Sequence, residues 1–157
     1  MFLPSAQMVE DMRRWEGSSL KVYADSKGLP TQGVGRHHGV KFGDPDIDMD
    51  TEARWLAEDV QQAYFDALDL FPNLNELDVV RREAIIALAF NMGRATLSEF
   101  VPFIHYVTKG SWASAALHLM TNMAHHLTPY LTDVGERGVD EGIRIASGEI
   151  PDEFLVL

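Results

Sequence analysis

The chain has 157 residues, a length at which one domain buries about two-thirds of its unfolded surface. With 46% apolar residues and only 12 Gly and 7 Pro, it falls outside the disordered and fibrous classes, and the lack of cysteine excludes disulfide frameworks, thiolate metal sites and cysteine nucleophiles. The net charge of −11 is concentrated between Phe42 and Asp78, where 11 acids meet one base, Arg54; a nucleic-acid partner, which needs clustered Lys and Arg, is not expected.

Ser5 is placed to cap a helix in which Met8, Val9, Met12 and Trp15 recur at three- and four-residue steps, ending at Glu16-Gly17. Glu10, Asp11, Arg13 and Arg14 interrupt any apolar run there, so the segment reads as neither signal peptide nor membrane anchor. Leu20, Val22 and Tyr23, the turn Asp25-Ser26-Lys27-Gly28, and then Thr31 to Gly35 read as two short strands around a turn.

Asp44 to Asp50 is a polar loop. After it, Ala53, Leu56, Val60, Ala63 and Leu68 mark a long amphipathic helix closed by Pro72. Val79 to Met92 forms an apolar helix with Gly93 behind it, and Leu97 to Lys109, Trp112 to Met123 and Asp133 to Ala146 make three more. Asp133 with Glu136 three residues on resembles a capping box, and Gly148 is a stop.

The predicted fold class is α+β, a single domain over 1–157. A small lobe of about 15–50 with a short antiparallel sheet is joined by a helix of about 51–71 to a helical lobe of about 74–148, with helix 5–16 packing at the lobe junction. A polymer would lie in the cleft between the lobes.

Cleaving a glycosidic bond takes one carboxylic acid to protonate the leaving oxygen and a second carboxylate across the sugar. Glu16, at a helix end beside Trp15, has the setting of a proton donor. Asp25, in a polar turn, has the setting of the charged partner.

The run Trp15-Glu16-Gly17, Leu20, Tyr23-Ala24-Asp25, Gly28, Thr31, Gly33 and Gly35 resembles the phage-type lysozymes, a glycoside hydrolase family of T-even and lambdoid phages. That resemblance implies a lysozyme-like fold and a peptidoglycan muramidase hydrolysing the β-1,4 bond between N-acetylmuramic acid and N-acetylglucosamine. It makes Glu16 the general acid, with Asp25 and Thr31 positioning the water of an inverting hydrolysis. The likeness continues through Val79-Val80-Arg81-Arg82, Ala89 to Gly93, Leu97, Phe100, Gly110 and Trp112, and implies sugar contacts at Gly35, Phe90 and Asn91. Arg137, with Glu141 and Gly148 beyond it, matches the helix whose arginine supports the catalytic Glu. Three features depart from the family pattern: Arg36 in place of a common His, Met123 in place of a common Trp, and extra residues between Pro129 and Arg137.

The alternatives are a wall-binding or virion structural module with a lysozyme fold, and a lytic transglycosylase. The resemblance further implies a monomer that acts on the periplasmic wall after synthesis in the host cytoplasm, with holin-dependent release or delivery in a virion. No cofactor and no metal are expected. The alternating Asp44, Asp46, Asp48 and Asp50 lack the Gly and Glu of a calcium loop and read as a solvated helix-capping loop. The adjacent pairs His37-His38 and His125-His126 point apart and form no zinc face, and the doublets Arg13-Arg14 and Arg81-Arg82 read as solvated or ion-paired.

Overall fold

A computed structural model describes residues 1–121 and 136–151. The expectations placed on Met123, His125, His126, Pro129 and Asp133 lie outside the described residues. The fold is α+β, as the sequence predicts. Its elements are α1 (Ala6–Glu16), β1 (Ser19–Ala24), β2 (Pro30–Gly33), α2 (Met49–Leu70), a 3-10 turn (Leu74–Glu76), α3 (Val79–Leu97), α4 (Val101–Thr108), α5 (Trp112–Thr121) and α6 (Glu136–Ser147). Among the described residues, no helix is long and apolar enough to cross a membrane. The chain divides into two compact units whose boundary falls inside α2, between Gln61 and Gln62.

In the first unit, Ser5 caps α1 by accepting from the Met8 N–H at 3.1 Å, and the helix stops at Gly17. β1 and β2 pair antiparallel, with Tyr23 opposite Thr31 and Ala24 opposite Pro30. The second strand is shorter than its sequence pattern predicts. It ends at Gly33, and the chain reverses through Val34 and Gly35 so that Arg36 exchanges both backbone hydrogen bonds with Gln32, at 2.9 and 3.1 Å. The Gln32 side chain, almost fully buried, donates to the carbonyls of Leu20 and Pro45 and ties the sheet to the acidic loop.

That loop also ends earlier than expected. Asp48 accepts from the Thr51 N–H at 2.8 Å and α2 begins at Met49; hydrogen bonding from the Thr51 side chain first, and then from its N–H, holds the Asp48 carboxyl below the ordinary range. The buried apolar side chains of this unit are Met8, Met12, Val34, Val40, Leu56 and Val60.

In the second unit, Asp78 caps α3 by accepting from the Arg81 N–H. Helical geometry breaks at Gly93, whose φ of 76° and ψ of 159° suit glycine and almost no other residue. The last turn of α3 resumes beyond it. The helix predicted from Leu97 begins only at Val101, because Pro102 lacks an N–H and is accommodated only in a first turn. Helices α4 and α6 both pack on α5, and α3 packs on α6. Phe71 and Phe103 meet edge to face at 5.7 Å inside this core.

Charges on α6 are buried with it. Arg137, Asp140, Glu141 and Arg144 are all at most 6% exposed, with Arg137 donating to Glu141 at 3.2 Å and Arg144 to Asp140 at 2.7 Å.

Candidate active site

Glu16 is the last residue of α1, and two neighbours fix that helix end from either side. Arg13, one turn back, donates to both carboxylate oxygens of Glu52 at 3.1 and 2.9 Å. Ser18, two residues on, donates to the same carboxylate at 2.9 Å. Glu52 lies in the first turn of α2 and is completely buried. The junction carrying Glu16 from helix to strand is therefore clamped at one anion, a role that sequence reasoning passes over because an acid in a helix's first turn is ordinarily solvated. The Trp15 ring, expected to shield Glu16, lies under the Arg14 guanidinium at 4.6 Å.

The hydrogen bond from Arg13, reinforced by Ser18 and opposed by burial, holds the Glu52 carboxyl below its ordinary value of 4.5. A carboxyl depressed in the folded state binds protons more weakly there than in the unfolded chain. Its stabilisation is thus complete above 4.5 and disappears as pH falls through the depressed folded value. Urea unfolding at a series of acid pH values is expected to show stability falling below pH 4.5, with a shallower slope in Glu52→Gln. An unchanged slope would contradict this assignment.

Asp25 and Thr31 are fixed together by the turn between the strands. Asp25 Oδ1 accepts from the N–H groups of Lys27 and Leu29, both at 2.8 Å. The Leu29 carbonyl in turn accepts from the Asp25 N–H at 3.0 Å and from the Thr31 hydroxyl at 3.2 Å. One residue, Leu29, thereby sets the spacing of both side chains. Asp25 Oδ2 has no hydrogen bond from any described residue, while Thr31 is only 2% exposed.

The Tyr23 phenol responds to the charges of both carboxylates. Burial first, then the charges of Asp25 and Glu16, push the Tyr23 phenol above its ordinary value. Both carboxylates are thus near enough to disfavour its anion.

The reversal at Gly33 to Gly35 brings backbone up to the same place. A side chain added at Gly35, where φ is +72°, would begin 3.9 Å from both Cβ and Oε2 of Glu16. Arg36, the departure from the family pattern, locks this reversal to α2. Its guanidinium donates to Asp59 at 3.0 and 2.8 Å and to Glu58 at 3.0 Å, and stacks over Trp55 at 4.9 Å. It also places one cation among the acids of α2.

Glu16, Asp25, Thr31 and Gly35 therefore belong to the first unit. Phe90, Asn91 and Arg137 belong to the second. Phe90 and Asn91 sit half-buried on α3 just before Gly93. Arg137 is 4% exposed and also donates to the Ala87 carbonyl at 3.3 Å, so it is not a solvated helix arginine. A separate cavity of about 390 Å³ is lined by Gln32, Arg36, Val40, Asp44, Ile47 and Trp55 among others. Its walls include neither Glu16, Asp25 nor Thr31.

A sequence model of the family described as phage lysozyme matches residues 13–126. That span contains Glu16, Asp25, Thr31, Gly35, Phe90 and Asn91, and ends before Arg137. Among curated proteins, the chain is 25% identical over 148 residues to "Probable T4-type lysozyme 2" of Dictyostelium discoideum, covering 77% of this chain and 86% of that protein. It is 31% identical over 99 residues to the "Endolysin" of Salmonella phage P22, covering 60% of this chain and 66% of that protein.

Proposed function

The chain belongs to the phage lysozyme family, and from that premise we propose that Glu16, Asp25 and Thr31 carry out an inverting hydrolysis of peptidoglycan glycan strands. It is a glycoside hydrolase of the lysozyme type. The bond cut is the β-1,4 linkage between N-acetylmuramic acid and N-acetylglucosamine.

Glu16 protonates the departing glycosidic oxygen. Asp25, held by two backbone donors through one oxygen, uses the other to orient and activate water on the opposite side of the sugar ring. Thr31 supplies a hydroxyl oxygen to the same water, its proton being engaged by Leu29. Gly35 supplies backbone beside Glu16 for contact with the sugar. The observation that carries this reading is the hairpin geometry: Leu29 fixes Asp25 and Thr31 together, and the reversal just after the second strand brings Gly35 to Glu16, 3.9 Å from where a side chain there would begin.

Clearing of purified walls in a gel, followed by mass spectrometry of the released muropeptides, tests the proposal. Reducing-end products are expected. Anhydro ends would instead make the protein a lytic transglycosylase, and equal clearing by wild type and Glu16→Gln would remove Glu16 from the mechanism. Gly35→Ala is expected to lower kcat/KM by roughly 10-fold, since left-handed backbone is strained for alanine and a displaced loop misaligns the acid. Wild-type kinetics in that variant would separate Gly35 from the site.

A further inference from the structure

One chemically capable side chain beside the reacting groups has no part in the hydrolysis described above. The ladder sets Tyr23 opposite Thr31, and the Asp25 N–H to Leu29 carbonyl bond extends the same register one pair further. Directly opposed residues share a face, and side chains alternate along each strand. Tyr23, Thr31 and Asp25 therefore belong to one face of the hairpin. Within that row Thr31 is 2% exposed, Asp25 is half-buried and Tyr23 is 36% exposed, so the ring is its most exposed member. Asp25 Oδ1 and the Thr31 hydroxyl proton are engaged within the turn, whereas the phenol has no hydrogen bond to any described residue.

We propose that Tyr23 is a substrate-contact residue, offering its hydroxyl and ring to the saccharide unit that lies over Asp25 and Thr31. The proposal rests on the muramidase reading of this site. A pyranose presents hydroxyl and acetamido groups that both donate and accept, and a phenol does both in return. An aromatic ring also covers the apolar C–H surface of a sugar.

The charge state is suited to the task. With burial, Asp25 and Glu16 all disfavouring the phenolate, the hydroxyl stays neutral through the working range of an enzyme at neutral pH. A cation at this position would instead draw the proton from Glu16. A neutral donor therefore adds binding without disturbing the pair of carboxylates.

The test has two arms. In the active enzyme, Tyr23→Phe is expected to raise KM for soluble peptide-bearing glycan strands by roughly 3- to 10-fold, the size of one neutral hydrogen bond. Its kcat and thermal midpoint are expected to change little, and Tyr23→Ala is expected to raise KM further by removing the ring. In the Glu16→Gln background, calorimetric titration with the same strands is expected to show the same loss of affinity without turnover. Tyr23→Phe and Tyr23→Ala with KM and affinity within twofold of their parents would overturn the proposal while leaving the muramidase reading intact. Wild-type protein that neither cleaves walls nor binds strands would overturn both.

Discussion

Glu16→Gln is expected to lower turnover on purified peptidoglycan by roughly 100- to 10,000-fold, the range in which a positioned general acid contributes. The amide is nearly the same size as the carboxyl and keeps its polarity, but has no proton to give to the departing oxygen. The clamp that places residue 16 is unaffected, because Arg13 and Ser18 hold Glu52 and not Glu16 itself. The thermal midpoint, measured beside turnover, distinguishes lost chemistry from lost fold. Asp25→Asn is the companion measurement. It should also depress turnover, and its effect should not add to that of Glu16→Gln, since the two act in one step. Retention of half or more of the wild-type turnover in Glu16→Gln would end the assignment.

The largest stability effect is expected at Arg81, in the doublet whose sequence suggests only a solvated or ion-paired group. Its guanidinium donates to the carbonyls of Ile145 and Ala146, at 2.9 and 3.0 Å, near the C-terminal end of α6. It also pairs with Asp78, the cap of α3, at 2.7 Å and lies over the Trp112 ring at the start of α5 at 4.4 Å. One side chain thus joins the ends of three helices, and it satisfies carbonyls that a helix end leaves without partners.

Hydrogen bonds from a charged group contribute about 1.5–3 kcal/mol each, less where water reaches them. With 15% of the Arg81 side chain exposed, Arg81→Ala is expected to cost about 3 kcal/mol, lowering the thermal midpoint by roughly 6–12 °C. Urea unfolding measures it directly, and a loss under about 0.5 kcal/mol would contradict the hub, since that is the scale of an ordinary surface substitution. Gly148→Ala probes the same contact, because a Cβ there would lie 2.6 Å from Arg81 Nη1. Its cost should shrink, without vanishing, in the Arg81→Ala background, where the clash is gone and only the positive-φ strain remains.

Much of the first unit was legible in the sequence because its signals are local. Ser5 meets Met8 three residues away, Gly17 ends the helix it follows, and Asp25 and Leu29 close a turn within five residues. Pro102 carried a start signal for α4 that the apolar pattern from Leu97 obscured. The neighbours of the candidate residues were not legible. Arg13 and Glu52 are 39 residues apart, Arg36 and Asp59 are 23 apart, and Arg81 and Ile145 are 64 apart. No periodicity in a sequence pairs such partners, and an arginine or glutamate on an amphipathic helix is ordinarily solvated. The burial of Arg137, Asp140, Glu141 and Arg144 on α6 shows how far packing departs from that ordinary case.

By itself, then, the sequence determined the order and kind of the elements, the hairpin that carries Asp25 and Thr31, and the helix end that carries Glu16. Each depends on backbone preferences and on hydrogen bonds reached within a few residues. Only the tertiary structure decided that Glu52 anchors the Glu16 junction, that the Gly33 to Gly35 reversal returns backbone to Glu16, and that Arg81 ties the start of α3 to the end of α6. Those arrangements come from burial, which removes water as a competing partner and makes each enclosed charge find a specific opposite one.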